Sequence, residues 1–150
     1  MKTLYDPAIA DDIRKRIATL AAGSARQWGK MNAAQMAAHC AVFMEAALAD
    51  IRPKRMFLGR LFGPMVKYLA LRDEKPMGRN LPTVPGFEVE DDREFLKERE
   101  RLATLVDRFA RGGPAACSTH PHSFFGRLTA EEWGRLVYKH LDHHLRQFGV

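Results

Sequence analysis

The chain has 150 residues, 46% hydrophobic and 28% charged, with a formal net charge of +6 and two cysteines. That length suits one domain spanning 1–150 with a sizeable core, and the composition is that of an ordinary water-exposed globular protein. It excludes a disulfide framework, and no stretch reaches the eighteen or so uncharged apolar residues of a membrane span.

The first predicted helix opens at Asp6-Pro7, a capping residue followed by proline at the first helical position. Its apolar stripe is Ile9, Ile13, Ile17 and Leu20, and Gly23 is expected to end it. The second opens at Asn32, with Gln35 in capping-box position, and carries Met36, His39, Cys40, Phe43, Ala47 and Leu48 on one stripe. Residues 57–69 are apolar on nearly all sides and interrupted by Gly59, Gly63 and Pro64, which predicts a broken, short helix packing as a lid or cap. Pro76, Pro82 and Pro85-Gly86 mark a loop. The third long helix is expected from Asp91 or Asp92, with Phe95, Leu102, Val106 and Phe109 on one face and a stop at Gly112-Gly113-Pro114. The fourth opens with the capping box Thr129–Glu132 and runs to the C-terminus. No alternating strand pattern occurs, so the fold class is all-α, an up-and-down four-helix bundle with one elaborate connection.

The charge pattern narrows the partners. Basic residues are spread along the chain and mostly alternate with Asp or Glu, with no basic block interleaved with aromatics. This predicts a solvated surface with attraction for anionic small molecules, no nucleic acid and no membrane. The N-terminus has no apolar signal region, and Cys40 and Cys117 stand alone, so a cytoplasmic setting with reduced thiols is expected.

The histidines carry the chemistry. Three of the six, His140, His143 and His144, fall within five residues of the last helix. On a wheel measured from Trp133, Val137 falls at about 40° and Leu141 at about 80°. His140 and His144 fall at about −20° and +20°, on the apolar stripe. His143 comes at about −80°, on the flank, and Asp142 at about 180°, facing water. Residues four apart share a face, so His140 and His144 can converge on one point, as helical metal ligands do. His39 passes the same test, with Met36 three before it and Phe43 four after it. Buried imidazoles are costly unless metallated or hydrogen-bonded, so two readings stand: a tris-His metal site, or a hydrogen-bonded histidine cluster in the core. Three imidazoles suit divalent Zn, Ni, Fe or Cu, and the absence of a fourth protein ligand leaves positions for water or substrate. Such a metal could lower the pKa of bound water or thiol.

Other candidates rank lower. Cys40 beside His39 could be a fourth ligand but reads rather as a small apolar core residue, and Glu45 should point away from His39. In His120-Pro121-His122 the proline extends the backbone, so the two rings should diverge, and the following aromatics should plug the end of the bundle. If that loop covers the mouth of the site, His120 is a candidate catalytic residue, as proton shuttle or substrate contact. No carboxylate stands out as a general base.

With these residues in view, one histidine on an early helix and His-x-x-x-His near the end of the last, the chain resembles the DinB/YfiT-like superfamily of metalloenzymes. Trp28-Gly29-Lys30-Met31-Asn32 before Ala38-His39-Cys40 is similar to a branch known only as a domain of unknown function. So are Phe124-Phe125-Gly126, Glu132-Trp133 and the run from His140 to Gly149. The resemblance implies a four-helix bundle with a tris-His divalent metal site (Zn, Ni or Fe) at His39, His140 and His144. It also implies chemistry on low-molecular-weight thiols, such as thiol transfer to an electrophile. Dimers occur in that superfamily, and the apolar 57–71 segment permits a homodimer. The alternatives are a metal-dependent hydrolase and a non-enzymatic bundle that binds a small molecule or protein partner. An enzyme needs an open cavity beside the histidines; a structural protein should fill it with Phe43, Phe124 or Trp133.

Overall fold

A computed structural model describes all residues, 1–150, as five α-helices and no β-strand. They are α1 (Pro7–Thr19), α2 (Ala33–Ala47), α3 (Phe57–Leu71), α4 (Phe95–Gly112) and α5 (Ala130–Gln147), with a short 3-10 turn at Gly113–Ala116. No helix is long and apolar enough to cross a membrane. α2 packs most extensively on α4, and α1 and α5 complete the ring α1–α4–α2–α5 around one continuous core of 27 buried residues.

The capping signals hold at three helix starts. Asp6 accepts from Ala8 N–H, and Asn32 and Gln35 exchange backbone and side-chain hydrogen bonds, as do Thr129 and Glu132. The boundaries that shift do so for tertiary reasons. α1 ends at Thr19, not at Gly23, because Leu20 turns to extended backbone and drives its side chain into the core, where it is buried. α4 starts at Phe95, three residues beyond Asp92, and Glu94 gives no side-chain cap. Asp91 pairs with Arg93 instead of capping the helix.

α2 exceeds its predicted stripe: 12 of its 15 residues are buried, so it is the central helix. Its many alanines let α4 approach closely, and the pair is clamped at its edge by ion pairs. Arg101 donates to Glu45 at 2.6 Å and to Glu98 at 2.9 Å, and Arg108 reaches Asp50. Asp142 does not face open water as the wheel places it, but pairs with Arg16 of α1 at 2.9 Å.

Residues 57–71 correct the expectation of a broken helix. α3 is one continuous helix through Pro64, which removes a single backbone donor. The glycines explain its placement: Gly59 and Gly63 are buried against the Phe124 backbone, where a Cβ at either would collide. Arg55 fastens the same contact by donating to the carbonyls of His122, Ser123, Phe124 and Gly59. α3 thus caps the 122–126 turn, and its large apolar residues face outward.

Candidate metal centre

α2 and α5 bring His39, His140 and His144 together. Their rings stand 4.7 to 5.0 Å apart between centroids, and one nitrogen from each lies within 4.8 Å of the others. All three are at least 92% shielded from solvent, at 5%, 8% and 8% exposure. The two inward positions assigned on α5 are the buried ones, while His143 is half-buried and tilted against Trp28.

The hydrogen bonds define which nitrogens are free. His39 Nδ1–H donates to the Phe87 carbonyl at 2.7 Å, and His144 Nδ1–H donates to Gln147 Oε1 at 2.9 Å. Each ring therefore keeps an unprotonated Nε2 for the cluster. His39 Nε2 and His140 Nε2 are 3.1 Å apart, while His140 Nδ1 is buried with no partner. The Phe43 ring stacks on His140 at 4.0 Å and 19°.

Burial holds all three rings neutral at pH 7. It pushes His140 well below its ordinary value and His144 down to about 3, each lowered further by the neighbouring rings. Burial likewise lowers His39, partly opposed by the Phe87 hydrogen bond. Neutral imidazole is the form that ligates.

The donor set fits a divalent metal. Nitrogens on one tetrahedral ion sit about 3.3 Å apart, given bonds of about 2.0–2.1 Å, so the 3.1 Å pair needs almost no movement. Without an ion, His39 Nε2 finds a donor only when His140 carries its proton on Nε2, and either tautomer leaves the buried His140 Nδ1 without a partner. The outward N–H donations to a carbonyl and an amide oxygen are the supports that metal-bound histidines usually have.

A cavity of about 640 Å³ opens beside the three rings. Trp28, Met31, Leu81 and Val84 supply apolar wall; Lys30 and Glu88 also line it. The long loop 73–94 forms much of this wall while also supplying the Phe87 carbonyl to His39.

The family model described as a protein of unknown function (DUF1569) matches residues 6–149. The chain belongs to that family. The DUF1569 match contains all three histidines, both helices that carry them and the loop between. No curated protein and no solved structure matches the chain.

The remaining residues singled out in this DUF1569 chain fall elsewhere. Cys40 is buried with its thiol against Met36 Sδ at 3.7 Å, and burial pushes the thiol far above its ordinary value. Glu45 turns away from His39 to Arg101. The rings of the His120-Pro121-His122 run do diverge: His120 Nε2 meets the Pro53 carbonyl at 3.3 Å and is not among the cavity-lining residues. His122 turns inward against Phe125, Trp133 and Phe43, burying a loop histidine.

Two contributors escaped sequence reasoning, and a third was given a different role. Gln147 had a legible signal, since it lies three residues after His144 on the same face. The Phe87 carbonyl had none, because every residue carries one. Phe43 was read as a possible filler of the cavity, yet it covers a face of His140 and leaves the space open.

Proposed function

We propose that the chain is a metal-dependent enzyme whose His39, His140 and His144 hold one divalent ion, Zn, Ni or Fe, beside a small-molecule site. The observation that carries this reading is the open cavity adjoining three neutral, convergent imidazoles. A structural histidine core gains nothing from leaving such a space unfilled. When bound, the metal supplies Lewis acidity, lowering the pKa of a thiol or water that enters its open positions.

The chain's own residues would do the rest. Phe87 and Gln147 orient two rings by accepting their outward protons. Phe43 shields a face of His140, and Trp28, Leu81 and Val84 give an apolar wall against which a substrate can be desolvated. The resemblance to the DinB/YfiT-like four-helix bundles favours S-transfer from a low-molecular-weight thiol to an electrophile, with hydrolysis by the same site as the second reading. Both cysteines are free, which suits a reducing, cytoplasmic setting. His120 would take part only if the loop that carries it moved toward the cavity.

A homodimer through α3 belongs to the same proposal. Phe57, Leu58, Leu61, Met65 and Tyr68 are 55% to 79% exposed on one outward face, more than a lone chain needs to leave in water.

Elemental analysis of untagged, chelator-free protein tests the site. About one metal per chain is expected, lost in His144→Ala and largely kept in His143→Ala. No metal in the wild type, even after divalent ions are offered, sinks the metalloenzyme reading and leaves a histidine-cored helical protein whose cavity binds its ligand without an ion.

A further inference from the structure

The Gln147 side chain is held at both ends. Its Nε2 donates to the Trp28 carbonyl at 2.8 Å, and its Oε1 accepts from His144 Nδ1–H at 2.9 Å. A carbonyl oxygen can only accept, so the Trp28 end decides which way the amide is turned. The reversed amide would set its oxygen against the Trp28 oxygen, acceptor against acceptor, and hand its NH2 to an unprotonated His144 Nδ1. At 3% exposure, Gln147 has little solvent to relieve the clash at Trp28.

The turn that grips this amide is built for it. Gly29 has φ +78°, in the left-handed region, and a Cβ there would run into Gln147 Nε2. Gln27 N–H also donates to the Gln147 carbonyl at 2.7 Å, tying the segment before α2 to the last turn of α5.

We propose that Gln147 is a positioning residue: the Trp28–Gly29 turn, acting through the Gln147 amide, locks His144 in its Nδ1–H tautomer and leaves Nε2 as the ring's ligand nitrogen. Metal affinity is the consequence, and that part rests on the metalloenzyme reading. The tautomer is a property of the metal-free chain. Trp28 also lines the cavity, so the occupant of the cavity and the orientation of His144 share one turn.

The test records long-range proton–nitrogen correlations of the imidazoles in metal-free protein, then a Zn(II) titration against a chromophoric chelator. Wild type, Gln147→Leu and Gln147→Glu are compared. Wild type should show His144 protonated on Nδ1, and so should Gln147→Glu, which loses the donation to the Trp28 carbonyl but still offers His144 an acceptor for that proton. Gln147→Leu should shift His144 toward the Nε2–H form and weaken zinc about 10- to 100-fold. If Gln147→Leu does not fold, Gln147→Asn replaces it with the same expectations, its amide falling one methylene short of His144. His144 keeping its Nδ1 proton in the variant that loses the contact overturns the proposal. Should the wild type take no zinc, the metalloenzyme reading fails, and the tautomer comparison alone still decides this one.

Discussion

His122 Nδ1 accepts from the backbone N–H groups of Phe124 and Phe125, at 3.1 and 3.2 Å. A proton on that nitrogen would face two donors in a site already stripped of water. Burial, aided by the Arg55 charge, accordingly pushes the ring down to about 4, below its ordinary 6.5. The sign follows from linkage: the unfolded chain takes up the proton first as pH falls. The stability His122 contributes is therefore complete above pH 6.5 and lost progressively between about 6.5 and 4, by at most about 1.4 kcal/mol per pH unit. Urea midpoints of metal-free protein should be level from pH 8 to 7 and fall below 6.5, less steeply in His122→Gln. Equal slopes in the two proteins would remove His122 from the account.

Among the elements, α3 is the one whose sequence character and placement differ most. Its glycines buy a close approach to the 124–125 backbone, and the consequence is that the apolar residues of the other face point away from the core. Lys67 fixes the flank, paired with Glu132 at 2.8 Å. If a second copy covers this face, light scattering should report a dimer for the wild type and a monomer for Leu61→Glu, with metal content unchanged because no α3 residue lines the cavity. A monomeric wild type at micromolar concentration ends that idea. The helix starts were legible because capping is local: Asn32 with Gln35 and Thr129 with Glu132 need only their own turn. The end of α1 and the continuity of α3 were not, since each depends on what the segment packs against.

At the scale of the molecule, the histidines join three parts of the chain: α2, the loop carrying Phe87, and the end of α5. An ion bound only by the folded arrangement stabilises it by mass action, by about 2.7 kcal/mol at a free concentration one hundred times the dissociation constant. For a chain of this size that corresponds to a rise in Tm of about 5–10 °C. Calorimetry with zinc and then with excess chelator should show this rise and its loss, and His39→Ala should show neither. A metal-dependent shift persisting in His39→Ala would place the ion elsewhere.

The sequence by itself determined the all-helical class, the starts of three helices and the inward pair His140 and His144. These rest on short-range rules: capping within one turn, and the 3.6-residue period that turns the same face inward every fourth residue. It could also nominate His39, because its own helix has an inward side. Only the tertiary structure decided that His39 meets that pair, that Phe87 receives the outward proton of His39, and that a cavity stays open beside them. Those relations join residues far apart along the chain, and their geometry is set by how the helices and the 73–94 loop pack, which no local pattern encodes.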